Sequence, residues 1–286
     1  MKSNNPVFSR AEGFNGQGAH GYGNQTYAND PSQWNIAQGG HAGQGGQADY
    51  GYAPAPVAQR PMTIDSVVQK TGIALGVVIV TAVITWIMTP AIDSSSALNS
   101  IYLAAMLGAG GAFILSMVNS FKRVISPALV LAFCAAEGVA LGALSKMFDA
   151  QFGEGIVTNA VMGTFAAFAG TLAAYKFLNI KVGNKFRTFV VAAMFGMVGL
   201  GLLEMVLSIF GAGMGLFGFG TLGLITAIVG LVLGVFMLIM DFDFVEQGIA
   251  AGLEERESWR AAFAMTVSLV WIYTNLLRLL AILQQD

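Results

Sequence analysis

The stretch "TLGLITAIVGLVLGVFMLIMDFDF", residues 221–244, decides the fold of this protein. The part from Thr221 to Met240 carries no charge. About 20 consecutive apolar residues are enough for one helix to cross the hydrocarbon core of a bilayer. The segment therefore predicts a membrane-spanning helix, which reaches two carboxylates, Asp241 and Asp243, where lipid gives way to water.

The spacing of Asp241 and Asp243 determines how they point. At about 100° per residue, two steps turn a helix by about 200°. If one carboxylate faces the inside of a helix bundle, the other faces away. Asp241 is the deeper and is predicted to point inward, while Asp243 is predicted to lie near the membrane interface beside Glu246. The alternative is a water-exposed helix end for both, although acids there oppose the helix dipole.

The pattern of residues 221–240 recurs along the chain. Seven stretches are long and apolar enough to span a membrane: 67–89, 98–119, 126–147, 155–177, 187–210, 219–241 and 261–283. Only 10% of all residues are charged, whereas soluble domains have about 25%, so the chain has too few charges to cover a water-facing surface. We therefore predict an all-α fold over residues 63–286, a multi-pass transmembrane bundle of seven helices.

Lys and Arg alternate between the two sides of the predicted bundle. The loops after the first and fifth helices contain neither residue, and the third loop has Lys146 among acids. Positive charge lies around the start of the first helix and in or beside the second, fourth and sixth loops: Arg60 and Lys70, Lys122 and Arg123, Lys176 to Arg187, and Arg256 and Arg260. Since cytoplasmic loops carry the excess of Lys and Arg, we predict a multi-pass protein of the plasma membrane with its N-terminus in the cytoplasm and its C-terminus outside.

Residues 1–62 differ from the rest of the chain in composition. They are rich in Gly, Gln, Asn, Ala and Tyr, as in "GQGAHGYGNQTYAND" (16–30), and contain almost no aliphatic side chains. Such a segment buries too little apolar surface to offset the entropy of ordering. We predict a disordered cytoplasmic arm that acts as a tether, with weak self-association through Tyr and Gly as the alternative.

Several classes of protein are excluded by what the membrane part lacks. Both histidines, His20 and His41, lie in the arm, so no Ser–His dyad and no His-ligated metal site can form among the helices. The single cysteine, Cys134, excludes an intrachain disulfide and a Cys-rich metal site. A net charge of −2 indicates no nucleic-acid partner. We expect a protein that is not an enzyme, holds no cofactor and has the lipid bilayer as its partner.

Four polar residues within the apolar stretches are candidates for function: Glu137, Glu204, Asn275 and Arg278. An ionised side chain at the centre of a membrane helix costs about 2.5–3.5 kcal/mol, so such groups face the bundle interior and have partners. Glu137 is either part of an ion pathway or a hydrogen-bonding link to a neighbouring helix. Glu204 is interpreted as structural or solvated at the rim. Arg278 either pairs with an acid on another helix or extends outward to water.

Three segments carry a resemblance to a known family. They are "SFKRVISPALVLAFCAAEGVALGALS" (120–145), "MDFDFVEQGIAAGLEERESWRAAF" (240–263) and "LVWIYTNLLRLLAIL" (269–283). The chain resembles the actinobacterial-type branch of the Bax inhibitor-1 family over roughly residues 62–284. The resemblance implies a seven-helix membrane bundle that acts as a pH-sensitive calcium leak channel. In that family a pair of aspartates on the sixth and seventh helices shares a proton and holds the closed state.

Carried over residue by residue, the sixth-helix acid of the family matches Asp241, with Asp243 as the alternative. The seventh-helix acid matches Asn275, which is a departure from the pattern. Two close carboxylates cannot both ionise cheaply and therefore share a proton, but an amide has no titrating proton to share. The resemblance thus implies the fold, while the proton switch of the family has lost one of its two acids.

Together these observations predict a pH-modulated leak channel for calcium or another cation. The ion-pathway or pH-sensing residues are predicted to be Asp241, Asp243, Glu137, Asn275 and Arg278. Carboxylate oxygens suit Ca²⁺, a hard cation, so Asp241 is a candidate for a transient calcium contact, although no firm metal site is predicted. The alternatives are a non-conducting regulatory or scaffold membrane protein, in which the acids only lock helices together, and a proton-coupled transporter.

Overall fold

The computed structural model describes residues 60–92 and 94–285, so almost all of the predicted disordered arm lies outside the described residues. The described residues form seven α-helices and no strand, which confirms the predicted fold class. Each helix is long and apolar enough to cross a membrane. A short 3-10 helix, Glu255–Glu257, joins the last two. The seven are α1 Ile64–Met88, α2 Ser95–Phe121, α3 Pro127–Phe152, α4 Ile156–Phe177, α5 Asn184–Ile209, α6 Thr221–Ala250 and α7 Ser258–Leu283.

The helix ends follow from local sequence. The Thr63 side chain accepts a hydrogen bond from the Ser66 amide, and the Ser66 side chain accepts one from the Thr63 amide, which gives α1 a capping box. Pro127 begins α3, where a missing N–H costs nothing. At the far end of α1, Lys146 of α3 donates to the carbonyl oxygen of Trp86 at 2.9 Å and to that of Thr89. The ammonium group thus satisfies carbonyl groups that have no partner inside the helix.

Helix α6 does not end at its carboxylates. The apolar stretch was predicted to stop at residue 241, but the helix continues to Ala250. Asp241 and Asp243 therefore lie inside α6, and the interpretation of these residues as a helix terminus is wrong. The physical reason is that α7 and α5 cover this part of α6 and supply polar partners to both carboxylates.

Helices α1, α2 and α3 approach one another at glycines. A Cβ atom placed on Gly108 of α2 would lie 2.9 Å from the carbonyl oxygen of Ala136 in α3. A Cβ atom on Gly142 of α3 would lie 3.0 Å from the Cα atom of Ala82 in α1. In a bilayer small residues allow this close packing of helix backbones. Helix α7 packs against α1, α3, α4 and α6 and is among the most buried helices, whereas α5 is the least buried.

The chain immediately before α1 pairs with the turn between α6 and α7. The carbonyl oxygen of Arg60 accepts a hydrogen bond from the Glu255 amide at 2.8 Å, and the Met62 amide donates to the carbonyl oxygen of Leu253 at 2.6 Å. The Met62 side chain is buried. Residues 60–62, which the sequence analysis assigned to the arm, thus contact the helical bundle.

Loops that were predicted to share one side of the membrane meet at one end of the bundle. The Arg256 side chain in the sixth loop donates to the carbonyl oxygen of Ile125 in the second loop at 2.9 Å. Arg260 is only 1% exposed and donates to the carbonyl oxygen of Arg123 at 3.1 Å. Lys70 of α1 forms an ion pair of 3.0 Å with Glu255. The N-terminal side of α1 and the second and sixth loops therefore lie together, as the alternation of positive charge requires.

Candidate functional site

Asp241 is the most deeply placed carboxylate of α6. Its side chain is buried, with the whole residue 5% exposed, and Ser268 Oγ of α7 donates a hydrogen bond of 2.5 Å to Asp241 Oδ2. Among the described residues no Lys or Arg forms an ion pair with Asp241. The structure thus confirms the predicted inward direction of Asp241 and gives it a neutral partner.

Asp243 is also buried, with 6% exposed, which contradicts the prediction that it faces away from the bundle. It forms an ion pair with Arg187 in the first turn of α5 and accepts a hydrogen bond of 2.7 Å from Gln247 Nε2. The two carboxylates do point to different sides of α6, as the helical turn requires. The prediction is wrong because α5 covers the second side. Only Glu246 is exposed, and it accepts a hydrogen bond of 2.6 Å from Tyr175 Oη.

Asn275 does not lie opposite Asp241, so that part of the sequence-based mapping is wrong. Asn275 Nδ2 donates to the carbonyl oxygen of Trp271 at 2.8 Å, and its Oδ1 lies against Gly230 of α6. Gly230 precedes Asp241 by eleven residues, which is about 16 Å along a helix. The residue of α7 that faces Asp241 is Ser268, two helical turns before Asn275.

Between Asp241 and Asn275 the surfaces of α6 and α7 are tightly packed. Trp271 Nε1 donates a hydrogen bond of 2.7 Å to the carbonyl oxygen of Gly230. A Cβ atom on Gly234 would lie 2.5 Å from Ile272 Cγ1. The two glycines thus let α7 side chains reach the α6 backbone. We call this contact, lined by Ser268, Trp271, Asn275 and Arg278 on α7, the α6–α7 seam.

Arg278 lies at the end of the seam remote from Asp241. Arg278 Nη2 donates to Thr226 Oγ1 at 3.2 Å and to Asn275 Oδ1 at 3.4 Å. The guanidinium carbon lies 5.1 Å from the centroid of the Phe217 ring. No carboxylate of the described residues forms an ion pair with it. The sequence left open pairing with an acid or extension to water, and the structure places the cation among neutral groups.

Glu204 stabilises the loop between α5 and α6 through hydrogen bonds. Its two carboxylate oxygens accept hydrogen bonds from the amides of Met214 at 3.1 Å and Gly215 at 2.7 Å. The next residues of that loop, Leu216 and Phe217, contact Thr226 and Arg278. This is the structural role that the sequence analysis favoured for Glu204.

Glu137 lies in a different part of the bundle. It is half-buried in α3, next to Gly138, which touches α1. No hydrogen bond or ion pair joins its carboxylate to another helix within the described part of the chain, although such a link was one of the two predicted roles. Helix α7 separates Glu137 from Asp241, since α7 presents Ser268 to α6 and Tyr273 to Ser145 of α3.

A comparison with protein-family models shows the family to which the chain belongs. A family model described as "Bax inhibitor 1 like" matches residues 5–285. The protein belongs to the Bax inhibitor 1 like family. No curated protein matches this chain. The family and the seven helices make it a multi-pass membrane protein.

Two partners in the site of this Bax inhibitor 1 like protein were missed by sequence reasoning. Ser268 donates to Asp241, and Arg187 pairs with Asp243. A signal for Ser268 was present, because Ser268, Trp271, Asn275 and Arg278 follow one another at spacings of three and four, which place them on one face of α7. No comparable signal existed for Arg187, which was interpreted only as a cytoplasmic positive charge.

The donor set near Asp241 limits how this family member can bind a cation. Among the described residues there is no group of three or more His, Cys, Asp or Glu side chains that could hold a metal ion. Ca²⁺ takes about six to eight oxygen ligands in stable protein sites. The Asp241 carboxylate and the Ser268 hydroxyl supply far fewer oxygen atoms than this.

Proposed function

We propose that this protein is a pH-modulated leak channel for calcium and other cations in the plasma membrane. The observation that carries the proposal is the Asp241 carboxylate, buried between two membrane helices with a neutral hydroxyl as its hydrogen-bond donor. In the proposed orientation Asp241 lies toward the cytoplasmic end and Arg278 toward the outside. The tight α6–α7 seam represents the closed state of this channel.

The physical argument starts from the charge of Asp241. A carboxylate without a cationic side chain at membrane depth is unfavourable and is relieved by a proton or by a metal cation. Because only a few oxygens are available, a cation would be held weakly enough to leave, which conduction requires. Protons and calcium compete for the same carboxylate, so we expect calcium flux to fall as the pH is lowered.

The test is calcium flux into proteoliposomes that contain the purified full-length protein, measured from about pH 5 to pH 8. We expect flux above that of empty liposomes, decreasing toward acid pH. Asp241→Asn should remove most of the pH dependence, because the amide does not titrate. Glu246→Gln is the matched control, since Glu246 is on the same helix but exposed, and it should behave as the wild type. Absence of flux above empty liposomes at every pH would refute the proposal.

The proposed orientation has its own test. A reporter fused to the C-terminus should be active outside the cytoplasm, because seven helices place the two ends of the chain on opposite sides. A cytoplasmic C-terminus would contradict it.

A non-conducting scaffold or regulatory protein is the second candidate function. The observation in its favour is that each of Asp241 and Asp243 has a polar contact that links two helices, with Ser268 of α7 for Asp241 and with Arg187 of α5 for Asp243. In that case Asp241→Asn should lower the melting temperature of the protein in detergent, while neither wild type nor variant carries calcium. The flux and melting experiments together separate the two functions.

A further inference from the structure

Arg278 is a cation whose described contacts are all with neutral groups. Its hydrogen-bond acceptors are the Thr226 hydroxyl and the Asn275 amide oxygen, and the Phe217 ring lies over its guanidinium group. The Nε atom is buried and has no hydrogen-bond partner among the described residues. An arginine side chain stays protonated in proteins. Its full positive charge is therefore present at this end of the seam.

The acid of the α5 helix on this side does not neutralise Arg278. Glu204 instead accepts the amide hydrogens of Met214 and Gly215. Glu204 holds the loop whose Phe217 ring covers Arg278, so it contributes to the position of the cation without pairing with it. The Thr226 hydroxyl also donates to the carbonyl oxygen of Leu216 in this loop, which keeps the loop folded over the end of α6.

Arg278 and Asp241 lie at opposite ends of one helix contact. Ser268, the partner of Asp241, precedes Arg278 by ten residues on the same face of α7, about 15 Å along the helix. On α6, Thr226 precedes Asp241 by fifteen residues, about 22 Å. A cation that moves along the seam toward Asp241 from the far end must first pass the guanidinium group.

We propose that Arg278 is a charge barrier at the outer end of the α6–α7 seam, which limits cation entry and discriminates against divalent cations. This inference rests on the proposed leak function. The Coulomb energy between Arg278 and an entering ion is proportional to the charge of that ion, so it is twice as large for Ca²⁺ as for Na⁺. Arg278 is half-buried, with its Nε atom shielded from solvent, so the repulsion is only partly screened.

The proportionality gives a quantitative signature. The rate of ion flux depends exponentially on the height of the energy barrier, and the contribution of Arg278 to this barrier is twice as large for calcium as for sodium. Removing the charge should therefore multiply calcium flux by the square of the factor by which it multiplies sodium flux. If Arg278→Gln increases sodium flux about threefold, calcium flux should increase about tenfold. Arg278→Lys keeps a positive charge at the site and is the matched control, for which the ratio of calcium to sodium flux should stay near the wild-type value. Both fluxes are measured in proteoliposomes with the full chain.

A second variant tests the charge without removing the arginine. Asn275 Oδ1 already lies 3.4 Å from Arg278 Nη2. Asn275→Asp has nearly the same shape and would place a carboxylate against the guanidinium group, which compensates its charge. The calcium-to-sodium flux ratio should increase here too. Gln284→Asp is the control, because it adds an acid at the exposed C-terminal end of α7, where water and salt screen its charge.

The outcomes separate this inference from the proposed function. An increased calcium-to-sodium ratio in Arg278→Gln and Asn275→Asp, but not in Arg278→Lys and Gln284→Asp, supports the barrier. If Arg278→Gln increases calcium flux and sodium flux by the same factor, the Arg278 side chain only holds the helices together. This result overturns the inference while the leak function stands. If Arg278→Gln does not fold, an unchanged ratio in Asn275→Asp overturns it equally. Wild-type protein without any cation flux refutes both proposals.

Discussion

Arg187 of α5 and Asp243 of α6 form an ion pair, which joins the least buried helix of the bundle to the helix that carries both carboxylates. Near the same end of α5, the rings of Phe186 and Phe236 meet edge to face with their centroids 5.3 Å apart. Because α5 has little other buried surface, the ion pair should be a main determinant of its attachment.

Replacing Arg187 by Gln should destabilise the protein. Asp243 would keep only the Gln247 hydrogen bond, and an acid left without its cation in a partly buried position should lower the free energy of unfolding by about 1–3 kcal/mol. Thermal unfolding of the purified protein in detergent measures this. Lys185→Gln, which changes an exposed cation two residues away, should have little effect. The double variant Arg187→Gln/Asp243→Asn should recover part of the loss, and purely additive effects would show that the two residues are not coupled.

Replacing Ser268 by Ala should remove the hydrogen-bond donor of Asp241. A buried acceptor that loses its donor costs about 1–3 kcal/mol of stability, so the melting temperature should fall. Ser268→Thr keeps the hydroxyl and should lie closer to wild type. When Asp241 is already Asn, Ser268→Ala should cost less than in the wild type. Equal costs in both backgrounds would mean that the 2.5 Å hydrogen bond contributes nothing to stability.

Replacing Gly234 by Ala should force α6 and α7 apart. The new methyl group would lie 2.5 Å from Ile272 Cγ1 and 3.1 Å from Trp271 Cδ1, and overpacking of this kind typically costs about 1–3 kcal/mol. Gly110→Ala in α2 is the control, because no atom lies within 4 Å of the added Cβ. We expect a lower melting temperature for Gly234→Ala and no decrease for Gly110→Ala. The same melting temperature for both would show that the seam can open without cost.

Deleting residues 2–59 should leave the bundle folded, because this segment has almost no aliphatic side chains that the helices could bury. Met62→Ala in the full chain should instead lower the free energy of unfolding by about 2 kcal/mol, since the Met62 side chain is buried against the α6–α7 turn. Melting temperature and monodispersity in detergent measure both. If the truncated protein aggregates while the Met62→Ala protein is as stable as the wild type, the stability of the bundle depends on residues 2–59 and not on Met62.

The number of helices could be predicted from the sequence because crossing a membrane is a requirement on length and mean hydropathy, which are local sums over consecutive residues. The alternation of Lys and Arg likewise predicted which loops share an end, and the contact between Arg256 and Ile125 agrees with it. The inward direction of Asp241 followed from its depth in a charge-free stretch. The family followed from three motifs, and the family model confirms it.

What the tertiary structure decided was the partner of each polar side chain. Asp243 turns away from α7, as the helical period requires, but only the packing of α5 shows that this direction leads to Arg187, 56 residues earlier in the chain. Asn275 and Ser268 are seven residues apart, or about two turns, so they occupy the same face of α7. The sequence therefore determines which face of a helix is polar. How far one helix is shifted along another is decided by contacts such as that of Ile272 with Gly234, because a shift by two turns leaves the periodic pattern unchanged.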